Sequence, residues 1–398
     1  MSTGSNKQWE AITLSSICST AKNIKWNEER DDREYRYIDL TSVDRVSHTI
    51  VSPQVINKSN APSRAQKIVV TNDVLFATTR PTLRRYCLIG SDFNNQICST
   101  GYCVIRPNQT RILPSWIYYL LTSDAFYNYI EPLQTGATYP AVTDKDVLKY
   151  AVPLPSLSEQ QRIVGILDAE FEKIDALKAN AEQNLQNAKD LFQTALKKEL
   201  EPKDGWTTKH LNEFASYSIG LTYKPTDVSD NGVVVLRSSN IQNDSLALDD
   251  IVRVSCKIKD ELFVDEGDIL MCSRNGSARL VGKVAMIGKE KERMTYGTFM
   301  TVIKSEYNPI LLYYFRSKVF RAQISKGENT MINQITKYML NDVVVSLPTD
   351  TNEINRIANV LDALKEQCKT LQDNYTQTIA LCNDLKQALL RKAFSGEL

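Results

Sequence analysis

The feature that most constrains the fold is a stretch that occurs near the end of each half of the chain. SEQQRIVGILD (158–168) returns as NEINRIANVLD (352–362), 194 residues later in a chain of 398. The match then continues in the same register, without a gap, as far as Lys198 and Lys392. An internal repeat with one fixed offset indicates a chain built from two related halves. We therefore predict a pseudo-twofold tandem repeat.

Both copies of the repeat are predicted to be long helices. Gly165 is the one glycine or proline within 156–200, and the segment 351–395 contains neither residue type. A helix of this kind is about 63 Å long at ~1.5 Å per residue, which exceeds what one globular core can cover. Apolar residues also recur with the 3.5-residue period of a coiled coil, so the two helices are expected to pack on each other.

The heptad positions of this coiled coil can be assigned from the apolar residues. The predicted a positions are Ile163, Glu170, Leu177, Asn184 and Leu191, then Ile357, Leu364, Leu371, Thr378 and Leu385. The predicted d positions are Leu167, Ile174, Ala181, Ala188 and Ala195, then Leu361, Cys368, Tyr375, Cys382 and Leu389.

The segments between the helices are variable and contain both strand-like and helical patterns, which predicts an α+β fold. NDVLFATTR (72–80) resembles GDILMCSRN (267–275), and WIYYLLTS (116–123) resembles LLYYFRSK (311–318). Pro202 to Gly205 would end the first helix. The predicted organisation is a first variable domain (1–155), a central helix (156–201), a second variable domain (202–349) and a C-terminal helix (350–398).

Composition argues against several classes of protein. The chain has neither the GxxxxGK[ST] nor the GxGxxG pattern, and its two histidines lie at unrelated places in the two halves, so we expect no catalytic site. No apolar run approaches the ~18 residues of a membrane span, and the N-terminus lacks an apolar signal core. Eight cysteines without a CxxC pair fit reduced thiols rather than a metal site. We therefore expect a cytoplasmic protein without metal.

Three motifs carry a resemblance to a known family: VPLPSLSEQQRIVGILD (152–168), SLPTDTNEINRIANVLD (346–362) and LKQALLRKAFSGEL (385–398). With them the chain resembles the specificity (S) subunit of type I restriction–modification systems over essentially its whole length. It departs from the family pattern at Thr351 and Asn355, where the second copy lacks the usual glutamine-rich start. This departure affects how the N-terminal end of that helix docks.

The resemblance implies a function in DNA recognition. Each variable domain would be a target-recognition domain that reads one half of a bipartite double-stranded DNA site. The two helices would pack antiparallel, separate the domains and set the unread spacer between the half-sites. The chain itself would be non-catalytic. Two modification subunits carrying S-adenosylmethionine would methylate adenine, motor-nuclease restriction subunits would cleave, and the exposed helix faces would dock partners.

Candidate DNA contacts follow from residue chemistry, since arginine pairs with guanine, asparagine with adenine, and hydroxyls or lysine with phosphates. TTRPTLRR (78–85) and CSRNGSARLVGK (272–283) each follow a predicted strand, are basic, and contain no acidic residue. LRSSNIQ (236–242), GATYPAVT (136–143) and GENTMINQIT (327–336) are further polar loops. The predicted DNA-binding residues are Arg80, Thr82, Arg84, Arg85, Thr138, Tyr139, Arg237, Ser238, Asn240, Arg274, Asn275, Ser277, Lys283, Thr330 and Asn333.

An enzyme with an unfamiliar active site would require methyl transfer or cleavage by the purified chain alone, and we predict neither. The residues therefore leave one further alternative of a different class. A coiled-coil adaptor whose variable domains bind protein would show the same helices and the same repeat. Salt-dependent binding to duplex DNA separates the two hypotheses, because phosphate contacts impose a steep dependence on salt. Net charge does not separate them, since it is +1 over the whole chain.

Overall fold

The computed structural model describes residues 9–325 and 333–398 and divides the chain into two compact units. Unit 1 consists of Met1–Ala181 with Gln377–Leu398, and unit 2 of Glu182–Thr376. Each unit therefore contains a variable domain and one segment from each of the two long helices. The four-part division by residue number remains an interpretation of the sequence.

Unit 1 is built from ten strands among its described residues, with four short helices and a segment of each long helix. The strands are β1 (Ala11–Thr13), β2 (Cys18–Ser19), β3 (Tyr35–Ile38), β4 (Gln54–Ile56), β5 (Ala65–Val69), β6 (Val74–Ala77), β7 (Tyr86–Leu88), β8 (Gln96–Ser99), β9 (Tyr102–Pro107) and β10 (Ala151–Pro153). The helices are α1 (Leu14–Ile17), α2 (Pro114–Thr122), α3 (Asp124–Ile130), α4 (Asp144–Leu148) and the long α5 (Leu157–Glu199).

The sheet that carries the candidate site of unit 1 has the order β2-β9-β6-β7. Strand β6 lies inside it, antiparallel to β7 and β9, and all four of its residues are buried. A continuous apolar run such as VLFA is what a strand needs when both faces are covered. A second sheet has the order β4-β3-β8-β5, and β1 pairs with β10.

Unit 2 repeats this plan with eleven strands among its described residues. They are β11 (Trp206–His210), β12 (Ser216–Ile219), β13 (Val228–Leu236), β14 (Ile241–Gln242), β15 (Ser245–Leu246), β16 (Val252–Val254), β17 (Ile269–Cys272), β18 (Val284–Met286), β19 (Met294–Tyr296), β20 (Met300–Lys304) and β21 (Val344–Pro348). The helices are α6 (Asn308–Arg316), α7 (Lys318–Ile324), α8 (Lys337–Asn341) and the long α9 (Thr351–Ser395).

The two units share their sheet order and the joint between domain and helix. The sheet β12-β20-β17-β18 corresponds to β2-β9-β6-β7, and the pair β11-β21 corresponds to β1-β10. In unit 1 the Tyr119 hydroxyl donates to Asp168 on α5, and in unit 2 the Tyr313 hydroxyl donates to Asp362 on α9. The predicted tandem repeat of α+β domains is confirmed.

One alignment between the halves shifts by a residue. Ser123 caps α3 by accepting a hydrogen bond from the N–H of Phe126, and Ser317 caps α7 in the same way from Phe320. These caps pair WIYYLLTS (116–123) with residues 310–317, not with the predicted 311–318. The sequence comparison aligned the two tyrosine pairs, whereas the structure aligns the caps, and of the tyrosines only Tyr119 and Tyr313 are equivalent.

The long helices α5 and α9 pack antiparallel within each unit. In unit 1, Lys386 Nζ lies 2.5 Å from Asp175 Oδ1, and Lys178 Nζ lies 3.1 Å from Asn383 Oδ1, so positions rise along one helix as they fall along the other. In unit 2, Arg356 near the start of α9 pairs with Glu199 at the end of α5 at 3.3 Å. The predicted antiparallel coiled coil is confirmed.

The heptad assignment is half correct. Of the predicted d positions, Leu167, Ile174, Ala181, Ala188, Leu361, Cys368 and Cys382 are buried. The predicted a line is wrong at Leu177 and Leu191, which are 52% and 48% exposed, and at Leu371 and Leu385, which are also exposed. Each exposed residue of that line is followed by a half-buried one: Lys178, Leu185, Phe192, Gln372 and Lys386 follow Leu177, Asn184, Leu191, Leu371 and Leu385.

The cause of this misassignment is local. Ile163 and Ile357 are fully buried, but they belong to the hydrophobic clusters of their own units. Counting sevens from those two residues leads to Leu177, Leu191, Leu371 and Leu385, which face solvent. Phe171 of α5 contacts α9, since Lys386 Nζ lies 4.7 Å from the centre of its ring, whereas Phe192 packs against Tyr313. In the part of the chain that the structure describes, no helix is long and apolar enough to cross a membrane.

Candidate nucleic-acid interface

In unit 1 the loop that follows β6 lies beside the segment 138–142. The Val142 N–H donates to the Thr78 carbonyl at 2.9 Å, and the Arg80 N–H donates to the Pro140 carbonyl at 2.7 Å. Arg80 has a positive φ of 49°. Its guanidinium donates to the Thr138 carbonyl at 3.3 Å and lies 4.8 Å from the centre of the Tyr139 ring, which is 67% exposed.

The neighbouring basic residues of this loop are held more tightly by unit 1. Arg84 pairs with Asp124 at 2.5 Å and lies 4.2 Å above the Tyr127 ring. Arg85 donates to the Leu40 carbonyl at 2.5 Å. Both arginines are half-buried, whereas Arg80 and Thr82 are exposed. Of the three arginines predicted to contact DNA here, Arg80 is therefore the one presented to solvent, together with Thr82, Thr138 and Tyr139.

Unit 2 places an equivalent loop after β17. The Ser273 hydroxyl shares a hydrogen bond with the Thr301 hydroxyl at 2.7 Å, and the Arg274 N–H donates to the Phe299 carbonyl at 3.1 Å. The exposed Arg274 guanidinium lies 5.6 Å from the centre of the Phe299 ring, which is 55% exposed. Isolated bridges pair Thr79 with Ala141 in unit 1 and Arg274 with Gln334 in unit 2.

The other predicted DNA contacts of unit 2 differ in whether their polar groups already bond to other residues of the unit. Arg237 pairs with Asp250 at 2.9 Å. Asn240 is buried, and its amide donates to the carbonyls of Ala247 and Asp250 while its oxygen accepts from the N–H of Arg237. These hydrogen bonds hold the loop together, and Asn240 could contact DNA only if they were broken.

Asn275, the residue after Arg274, bonds to Ser238. The Asn275 amide donates to the Ser238 hydroxyl at 3.1 Å, and its oxygen accepts from the Ser277 N–H at 2.9 Å. Ser277 is exposed and Lys283, which follows a turn before β18, is half-buried. Asn333 is exposed, and Thr330 lies outside the described residues.

Two cavities flank Phe299. A cavity of about 360 Å³ is lined by Ile219, Arg274, Phe299, Gln334, Lys337 and Tyr338, among others. A wider one of about 710 Å³ shares Thr298 and Phe299 with it and includes Arg237 and Ser238. The surface is therefore concave on both sides of an exposed aromatic ring, with cations at its edges.

Sequence reasoning did not single out Phe299, Gln334 or Tyr338. Phe299 follows Gly297-Thr298 in a loop, and Tyr338 is 81% exposed at the start of α8. Gln334 lies within the quoted segment 327–336, but nothing in the sequence distinguished it from its neighbours. An aromatic residue in a polar loop was the one available signal.

The acids at the start of the two loop-bearing strands are paired within the protein. Asp73 pairs with Arg106 at 2.7 Å, and Asp268 with Lys304 at 3.1 Å. The hydrogen bond to Asp73 raises the pKa of Arg106, and burial raises the pKa of Asp268. These pairs tie β6 to β9 and β17 to β20, so they hold the strands that position Arg80 and Arg274.

Two domains of one fold, each with an exposed arginine beside an exposed aromatic ring and each joined to a long helix, define a tandem recognition protein. The family model of the type I restriction modification DNA specificity domain matches residues 6–187 and 203–381. The chain belongs to this family and is thus, as a specificity subunit, non-catalytic.

Individual relatives agree with this assignment. The EcoKI specificity subunit of Escherichia coli K12 is 27% identical over 327 residues, which are 76% of this chain and 69% of that subunit. The HindI specificity subunit of Haemophilus influenzae is 27% identical over 158 residues, which are 39% of this chain but only 34% of that subunit. A chain from work on complex assembly and conformational transition of the type I R-M system has a TM-score of 0.84 and 28% identity, covering 98% of this chain and 99% of that one.

Proposed function

We propose that each unit reads one half of a bipartite site in double-stranded DNA, unit 1 through the loop of Arg80 and unit 2 through the loop of Arg274. The observation that carries the proposal is that each unit places an exposed arginine beside an exposed aromatic ring in the loop after the equivalent strand, Arg80 three residues after β6 and Arg274 two residues after β17. Membership of the specificity family supports it.

The chemistry of these residues suits the major groove of DNA. Arginine can donate two hydrogen bonds to O6 and N7 of guanine, and an aromatic or methyl group can contact the thymine methyl. The exposed hydroxyls of Thr82, Thr138 and Ser277 and the amine of Lys283 suit phosphates, which fix the register without reading sequence. Local basic loops supply this attraction even though the net charge is +1.

The partners that we propose are two modification subunits and the restriction subunits of the same system. The exposed leucines of the long helices, Leu177 and Leu191 on α5 and Leu371 and Leu385 on α9, support docking there, since they are not used in the seam. S-adenosylmethionine would be bound by the modification subunits, and this chain would carry no cofactor. Because the substrate is DNA, we place the complex in the cytoplasm.

The test is a map of methylated adenine made by the complex of this chain with its modification subunits. The unchanged chain is expected to give one split motif, with two defined blocks around a fixed gap. Arg80→Ala should relax one block and Arg274→Ala the other, each with a loss of about 1–3 kcal/mol of discrimination at one base pair. Arg30→Ala, at an exposed arginine in a turn of unit 1, is the control and should leave both blocks unchanged.

The coiled-coil adaptor hypothesis predicts a different result. An adaptor would assemble with its partners but confer no salt-dependent binding to duplex DNA, and neither arginine variant would change a methylation motif. Relaxation of the same block by both variants would contradict the assignment of one half-site to each unit.

A further inference from the structure

Besides the exposed Asn333, three amide side chains of unit 2 lie around its candidate reading surface, and they differ in what they can still bind. The amides of Asn240 and Asn275 are both used as donor and as acceptor inside the unit. Gln334 is exposed and lines the 360 Å³ cavity. Neither atom of its amide is engaged by the residues that the structure describes. Among the amides that line this cavity, Gln334 is therefore the one available to a base; the neighbouring Asn333 is exposed but does not line the cavity.

The backbone that carries Gln334 is fixed at this residue and at the two residues that follow it. Gln334 lies opposite Arg274 in an antiparallel bridge, and the next residue, Ile335, donates its N–H to the Ser273 carbonyl at 2.7 Å. Thr336 then caps α8 by accepting a hydrogen bond from the N–H of Met339 at 3.2 Å. A side chain projected from such a backbone is positioned before DNA arrives.

The spacing between Gln334 and Arg274 suits adjacent base pairs. Residues directly opposite each other in an antiparallel pair project to the same face, with Cβ atoms about 5 Å apart. Successive bases along a strand are about 3.4 Å apart, which two long side chains can match. The Phe299 ring lies beside Arg274 and lines the same cavity, so an apolar surface lies beside the side chains of Arg274 and Gln334.

We infer that Gln334 is a specificity-determining residue that reads an adenine next to a guanine read by Arg274, in the half-site of unit 2. This inference rests on the proposed function. The glutamine amide matches adenine, since its oxygen accepts from N6 and its nitrogen donates to N7. In unit 1 the equivalent bridge pairs Thr79 with Ala141, which carries no amide. The two half-sites are therefore read by different chemistry at this position.

The test uses the complex of the full chain with its modification subunits and maps the methylated motif for three variants. Gln334→Ala should accept any base at one position of one block. Gln334→Glu should exchange the required adenine for cytosine there, because a carboxylate accepts from N4 of cytosine. Gln109→Glu is the control. It makes the same chemical change in an exposed turn of unit 1, where Gln109 accepts a hydrogen bond from Asn72, and it should leave the motif unchanged.

Binding of the complexes to duplexes that differ at this one position gives the magnitude. The unchanged chain should prefer adenine by roughly 10-fold to 100-fold, and Gln334→Ala should abolish the preference. A motif that stays the same in both Gln334 variants would overturn the inference while leaving the proposed function intact. Loss of all methylation with Gln334→Glu but an unchanged motif with Gln334→Ala would also overturn it, since it indicates repulsion by phosphate. Absence of any split motif with the unchanged chain would reject the proposed function itself.

Discussion

His48 is held as a neutral side chain inside unit 1. Its ring stacks on Tyr86 with 3.9 Å between centroids, and its Nδ1 is buried without a hydrogen-bond partner among the described residues. Burial lowers the pKa of His48 to about 4, and the positive charges of Lys386 and Arg84 add to this effect against the opposing charge of Asp44. An unfolded histidine has a pKa near 6.5, so folding disfavours the protonated form.

A dependence of stability on pH follows from this pKa. Above pH ~6.5 both states are neutral and the stability is fully present, whereas between pH ~6.5 and ~4 the unfolded chain binds a proton that the folded chain does not. The loss in this window should be on the order of 1–2 kcal/mol, after allowance for partial exposure of the ring. Scanning calorimetry of the full chain at several pH values should therefore show a falling Tm as the pH decreases through this range.

Replacement of His48 isolates its contribution. His48→Asn should flatten the fall in Tm, and asparagine tolerates the positive φ of 53° at this position. His210→Asn changes the other histidine of the chain, which is exposed, and is the matched control. An equal effect of both substitutions would show that His48 does not cause the dependence.

At the same scale, residue type was a poor guide to which side chains are available to DNA. Asn240 and Asn275 were predicted from their chemistry, but both bond to groups inside unit 2, and part of that bonding comes from loops distant in sequence, as with Asn275 and Ser238. The pairing of Arg80 with Tyr139 needs the backbone bond between Val142 and Thr78. The sequence identified both loops of that pair, but it could not show that they meet.

At the scale of elements, the end of α9 holds the corner between α2 and α3. Gln387 accepts from the N–H of Asp124 at 2.9 Å and donates to the Thr122 carbonyl at 3.1 Å. Gln193 is its equivalent on α5 in the repeat. It lines a groove of about 670 Å³ beside Ser317 and Lys318, and among the described residues it makes no hydrogen bond to that corner.

This difference predicts unequal effects of the same substitution. Gln387→Ala removes both hydrogen bonds and should destabilise unit 1 by about 1–2 kcal/mol, since two backbone groups lose their partner. Gln193→Ala should change stability by less than about 0.5 kcal/mol. Limited proteolysis with mass mapping would show faster cleavage around α3 in Gln387→Ala alone. Faster cleavage around α7 in Gln193→Ala would contradict the prediction.

The elements themselves could be predicted in part. The long helices, their contact through Ile174, Ala181 and Cys368, and the α+β character of the halves follow from periodicity and from the absence of helix breakers. The second line of the seam could not be predicted from periodicity, because Leu177 and Leu191 are apolar and in phase with the buried Ile163 but are themselves exposed. A helix that serves both a domain and a coiled coil has two apolar sides, and a 3.5-residue period alone does not distinguish them.

At the scale of the whole molecule, each long helix belongs to both units. Unit 1 takes α5 up to Ala181 and α9 from Gln377, and unit 2 takes the remaining segment of each. A change in the length of a shared helix is therefore expected, under the proposed function, to leave both DNA-reading loops unaltered. Under the proposed function, half-site identity and spacer length should consequently be independent properties, set by different parts of the chain.

Insertion of one helical turn near the end of α5 tests this independence. Four residues between Lys198 and Glu199 add about 6 Å of helix, close to two base-pair steps of ~3.4 Å. The methylation map should then show the same two blocks around a gap longer by one or two base pairs. A four-residue insertion between Asp31 and Asp32, in an exposed turn of unit 1, is the control and should leave the gap unchanged. Altered blocks around an unchanged gap would contradict a spacer role for the helix, because they would mean that α5 acts on the reading loops instead.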